Sequence, residues 1–235
     1  MLDAAYYHLD ERDAPERPTR DRALDTVSLR VIRAAAPGAF DYELEGMHQW
    51  GSVRDGLAAN AARLEVSALF AHADAGYTFD APWRPRLSLE FDYASGEEAG
   101  GAFTRFDTLF GMRRADLAPA GIYAALSRAN IVTPALRLEL VPSPRFDAFM
   151  ALRGMWLASA TDSFSGTGIR DASGASGHFA GYQWEGRARY WLFPDALLFE
   201  ADAVLLFKGR FLETAPNVVT SDNTRYLSFN LSAFF

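Results

Sequence analysis

The chain has 235 residues, a net charge of -7, 49% hydrophobic and 23% charged residues, which is the balance of a folded protein and argues against general nucleic-acid binding. It contains no cysteine, which excludes structural disulfides and thiolate metal sites. Its longest apolar runs are broken by Glu200 and Asp202, so nothing approaches the roughly 20 apolar residues of a helical membrane span.

The hydropathy period is two almost throughout, which predicts strands with one apolar and one polar face. In chain order they fall at 2–10, 24–34 and 39–50, where AFDYELEGMHQW sets Phe40, Tyr42, Leu44 and Trp50 against Asp41, Glu43, Glu45 and Gln49. Strands follow at 64–80 and 86–96, the latter with Leu87, Leu89, Phe91 and Tyr93 opposite Arg86, Ser88, Glu90 and Asp92. A short strand is expected near 119–127, and further ones at 131–141 and 145–158. In 181–193, Tyr182, Trp184, Ala188, Tyr190 and Leu192 oppose Gln183, Glu185, Arg187 and Arg189; in 196–209, Glu200, Asp202 and Lys208 share the polar face. The terminal TRYLSFNLSAFF alternates to its end, giving about eleven strands in all. Many reach ten residues or more, beyond the roughly five to six of soluble sheets and matching the roughly 9–11 that a tilted strand needs to cross a bilayer.

Connections alternate in length. Short proline-bearing turns lie at 36–38, 80–85, 141–145 and 193–196, and long loops rich in Gly, Ser, Asp and Arg at 10–23, 51–60, 95–118, 159–177 and 209–222. Short turns at one end and long loops at the other predict an all-β, antiparallel, up-and-down transmembrane β-barrel. No linker or composition shift divides it, so residues 1–235 read as one outer-membrane barrel domain. Aromatic residues near the strand ends suit interfacial girdles. The start of the chain shows no basic segment followed by an apolar core, so no signal peptide is visible and truncation at the N-terminus is expected, the alternative being a complete barrel of ten or twelve strands.

In a membrane barrel the polar face lines the lumen. Its cations are Arg86, Arg187, Arg189 and Lys208, with Arg30, Arg137 and Arg153 assigned by parity, and carboxylates stand beside them. An arginine fork stays charged and pairs with carboxylates, so these residues are candidates for contact with an anionic substrate; equally, they are candidates for ion-pair ladders that fill the wall. Phe106, Asp107 and Phe110 lie in the longest loop, as a gate or as packing against the rim. His8, His48, His72 and His178 are scattered, and no metal site or cofactor motif is found. His72 and Asp74 share a face without a serine placed to complete a triad, so a barrel hydrolase stands only as an alternative, beside a general diffusion porin.

Two resemblances follow. The terminal alternation ending in Phe235 resembles the signal by which the barrel-assembly machinery recognises bacterial outer-membrane proteins. FDYASGEEAGGAFTRFDTLFG at 91–111, LRLELVPSPRFDAFMALRGMWLASATDSF at 136–164, LDTVSLRV and FDYELEGMHQWG together resemble the C-terminal part of the alginate-export family. That resemblance implies a monomeric barrel of about eighteen strands in the outer membrane of a Gram-negative bacterium. It also implies an arginine-lined lumen, passive export of an anionic polyuronate, no enzymatic activity, and periplasmic export partners.

Overall fold

The computed structural model describes residues 1–98, 100–109, 126–220 and 222–235. They form one antiparallel sheet of ten strands in which each strand pairs with its neighbours in sequence. The strands are β1 (Leu2–Asp10), β2 (Ala23–Arg33), β3 (Ala39–Arg54), β4 (Arg63–Thr78), β5 (Arg86–Ala94), β6 (Ile131–Ser143), β7 (Phe146–Trp156), β8 (Phe179–Phe193), β9 (Leu197–Lys208) and β10 (Thr224–Ala233). Ten strands lie among the described residues, against about eleven expected for the whole chain. Most of the segment predicted as a strand near 119–127 lies outside them, and Leu126 and Ser127 carry no strand. The only helix among the described residues, α1 (Arg210–Thr214), has five residues.

The order β1 to β10 does not close: β1 pairs only with β2, and β10 only with β9. Among the described residues the sheet is therefore open, with β1 and β10 at its two edges.

Alternation divides the sheet into two unlike faces. On β3 the even-numbered side chains from Phe40 to Trp50 are exposed while Asp41, Gln49 and Val53 are buried. The same split recurs on β5, where Leu89 is 67% exposed and Asp92 only 1%, the reverse of a water-soluble sheet. Leu29, Leu44, Leu136, Leu152, Phe207, Leu227, Phe229 and Leu231 continue the exposed apolar band around the sheet. Rings gather near both ends of this band. Phe40, Tyr77 and Phe79 make edge contacts at 4.8 and 5.0 Å near the short turns. Trp156, Phe179 and Tyr182 cluster near the long loops, as do His48 and Trp50 at 5.5 Å. Such pairs place an amphipathic ring where hydrocarbon meets headgroups.

The buried apolar core sits at the long-loop end only. Strand-end residues Leu24, Val53, Val66, Phe70, Ile131, Met155 and Leu206 pack against loop residues Phe106, Leu126, Leu157, Phe164, Phe211 and Leu212. Two positions at this end require glycine. Gly51 has φ +133°, and a Cβ there would lie 2.1 Å from the Ala23 carbonyl oxygen. Gly181, at φ +141°, would meet the Phe207 carbonyl oxygen at 2.2 Å.

Candidate functional site

Register brings the polar side chains of the inner face together level by level. Nearest the short turns, Arg86 is held by both Asp41 and Asp74 and also donates to Ser88. Arg30 pairs with Glu43 at 2.6 Å, and Arg189 with Asp147 at 2.9 Å. These three cations cross-link adjacent strands.

Farther along the wall, Arg153 on β7 is wholly buried, 2.8 Å from Glu90, 3.4 Å from Glu185 and 3.6 Å from Asp92. Its neighbours extend the network: Gln183 donates to Glu185 at 2.7 Å and the His72 ring lies 2.8 Å from Asp92. Placing four ionised groups out of water is tolerable only because each faces an opposite charge or a hydrogen-bond partner. Arg153 was a candidate for substrate contact by parity alone. Its burial gives a solute no access to it, and its ion pairs tie β7 to β5 and β8. Lys208, at the long-loop end, gives its ammonium to the Thr220 carbonyl at 2.5 Å.

Arg137 and Arg187 differ from these. Arg187 stands directly opposite Phe149 in the β7–β8 register, and Arg137 comes from the strand on the other side. Their guanidinium carbons lie 4.8 and 3.9 Å from the Phe149 ring centre. Arg137 also pairs with Glu139 at 2.7 Å and Glu90 at 3.3 Å. Arg187 makes no ion pair within 4.0 Å among the described residues, and its Nε has no hydrogen-bond partner. Phe149 was not singled out in the sequence, although the odd parity it shares with Asp147 and Arg153 marked it as an apolar residue on a polar face. It orders two cations by stacking, and of the two only Arg187 keeps its N–H edge clear of an ion pair among the described residues.

At the mouth, the loop between β5 and β6 lies along the inner wall. Phe103 bridges to Val66 through backbone bonds to Glu65 and Ser67, and Phe106 stacks on Phe70 at 5.5 Å. Asp107 receives Arg22 at 2.5 Å, and its backbone exchanges two bonds with the side chain of Gln49. Arg105 ties the same loop to Asp162 at 2.5 Å. Burial of the neighbouring Glu97 pushes its carboxyl above the ordinary range. Phe106 and Asp107 therefore fasten the loop to the lumenal wall; Phe110, the third gating candidate, lies outside the described residues. Phe235 is fully exposed beyond the end of β10, while Phe234 donates its N–H to the Ala196 carbonyl and lies 5.7 Å from the Trp191 ring.

His72, the residue on which a hydrolase would depend, is occupied by Asp92, and its strand neighbour Asp74 is taken by Arg86. Among the described residues no group of three or more His, Asp or Glu is arranged to hold a metal ion.

Comparison with curated proteins gave no match. The family model for alginate export, a family of outer-membrane transporters rather than enzymes, matches residues 2–225: the chain belongs to the alginate export family.

Proposed function

We propose that this chain forms the wall of an outer-membrane conduit, in a Gram-negative bacterium, through which an anionic polysaccharide of the alginate type leaves the cell passively. The observation that carries this reading is the pair Arg137 and Arg187 held on Phe149, with Arg187 free of any ion pair among the described residues. A guanidinium whose N–H edge faces the lumen exchanges its water for a passing carboxylate and releases it again. That reversible exchange is what conduction of a polyanion requires. Arg30, Arg86, Arg153 and Arg189 are paired with carboxylates, whose negative charge they offset so that these acids do not repel a passing polyanion.

In lipid, both open edges have to be paired, because an unpaired strand edge leaves backbone donors and acceptors without water. Further strands completing the wall, inserted as one monomeric barrel with Phe235 as the assembly signal, meet that need. Periplasmic synthesis and export components are the partners that would deliver the polymer.

The test is the reversal potential of single channels in planar bilayers under a salt gradient. The expected result is anion preference, block by added polyuronate, and loss of both in Arg187→Glu. Cation preference that polyuronate leaves unchanged would overturn the reading in favour of a general diffusion porin.

A further inference from the structure

A cavity of about 290 Å³ opens at the long-loop end, away from Arg137 and Arg187. Its floor is apolar, formed by Leu24, Val53 and Val66, and Phe103 and Gln49 stand at its sides. Arg20 lines it in an unusual state. Its Nε donates to the Arg54 carbonyl at 2.7 Å and its guanidinium lies 4.6 Å over the Phe103 ring. Among the described residues no hydrogen bond or ion pair engages its terminal nitrogens, although Glu97 feels its charge from outside ion-pair reach. One bond and one ring thus fix the fork while leaving its outer edge open.

The other charges in the cavity are matched. Arg22 donates to both oxygens of Glu11, at 2.8 and 2.9 Å, and to Asp107 at 2.5 Å. The bonds from Arg22 hold the Glu11 carboxyl below its ordinary value, so it stays an acceptor. A carboxylate has about four acceptor sites, and the bonds from Arg22 leave some of them for hydroxyl groups. A positioned free cation, spare acceptors and an apolar floor form a complementary set. A carboxylate pairs with the fork, hydroxyls donate to Glu11 and Asp107, and the C–H face of a ring lies on the floor. The volume matches the lower end of small-molecule pockets, about 300 Å³.

We propose that this cavity is a binding site for a single acidic sugar residue, a uronate, read through Arg20. As a station on an exit route it rests on the export reading; as a site it stands on its own geometry. Its occupant would touch Asp107 and Arg22, the contacts that fasten the β5–β6 loop.

The experiment is calorimetric titration of the detergent-solubilised chain with sodium glucuronate, glucose and sodium acetate, in an Arg187→Gln background that disables the lumenal cation. Glucuronate is expected to bind in the millimolar range, with glucose about tenfold weaker, the value of one charge-assisted hydrogen-bonded pair, and acetate weaker as well, because it has neither hydroxyls for Glu11 and Asp107 nor a ring face for the floor. Arg20→Gln should weaken glucuronate about tenfold, and Arg20→Lys, which keeps charge without the fork, by less. Heat-modifiable gel mobility identical to the parent shows that each variant is folded. No glucuronate binding, unchanged binding in Arg20→Gln, or glucose or acetate binding as tightly as glucuronate would each overturn the proposal. Arg20-dependent binding in a channel without anion preference would refute export and leave this site standing. Anion-selective conduction without such binding would do the reverse.

Discussion

Replacing Arg153 by methionine removes the one cation that faces Glu90, Asp92 and Glu185 together, leaving Glu90 only Arg137 and Asp92 only His72 among the described residues. Its side chain is fully buried, and those of the three acids are 9%, 1% and 2% exposed. At 2.8 Å from Glu90, a unit-charge pair at an effective dielectric constant of about 20 is worth roughly 6 kcal/mol before desolvation is counted. Desolvation of the arginine offsets much of that. What remains in the variant is the cost of buried carboxylates without their counter-charge, about 3–5 kcal/mol of stability. Arg12→Met is the internal control: Arg12 meets Asp10 at 3.4 Å with both side chains largely exposed, and its loss should cost no more than about 1 kcal/mol. The assay is guanidinium unfolding in lipid vesicles, followed by fluorescence of the five tryptophans. Adding Glu185→Gln to Arg153→Met should return part of the loss, because the two residues share one network. A deficit below about 1 kcal/mol in Arg153→Met would refute the argument that this cation holds the wall.

Gly51→Ala should destabilise the chain by about 1–3 kcal/mol in the same assay, because φ +133° is closed to a side chain and the Cβ would press on the Ala23 carbonyl. Asp171 accepts from the backbone and hydroxyl groups of Ser173 and Ser176, bonds that hold its carboxyl well below the ordinary 3.8. A depressed carboxylate stabilises its loop above the unfolded-state pKa and loses that effect as pH falls through the folded one. Protection of the Ser173 and Ser176 amides from hydrogen exchange should therefore fade only in acid well below pH 3.8, and Asp171→Asn should weaken it at neutral pH. Deleting Phe235 should lower the membrane-inserted fraction with synthesis unchanged, scored by heat-modifiable mobility in outer-membrane fractions.

Strand positions and faces were legible because the pleat has a period of two. Leu89 against Asp92, or Phe199 against Glu200, is decided by parity alone. What each inner-face charge does was not legible, since pairing depends on register between strands far apart in sequence. Arg153 and Arg187 both sit on the polar face by parity, yet one is walled in by three acids and the other makes no ion pair among the described residues. Glu90, which links Arg137 to Arg153, lies 63 residues from the latter. The mouth was the least legible part. Arg20, Phe103 and Asp107 lie in loops without periodicity, and their meeting depends on how two loops fold across β3 and β4. The short strand expected near 119–127 falls mostly outside the described residues.

The one-sided placement of the apolar core has a consequence for how such a wall reaches its final position. Phe106, Leu126, Phe164, Phe211 and Leu212 sit in the segments that, in an outer-membrane barrel, have to pass to the far side of the bilayer. They find partners only after they arrive. Burying each is worth about 1.5–3 kcal/mol, an upper estimate against an unfolded chain that is already partly collapsed. That free energy is absent while the loops are in transit and present once they have crossed, so the cluster acts as a ratchet. In a barrel that inserts with these loops leading, it favours the crossed state over the return.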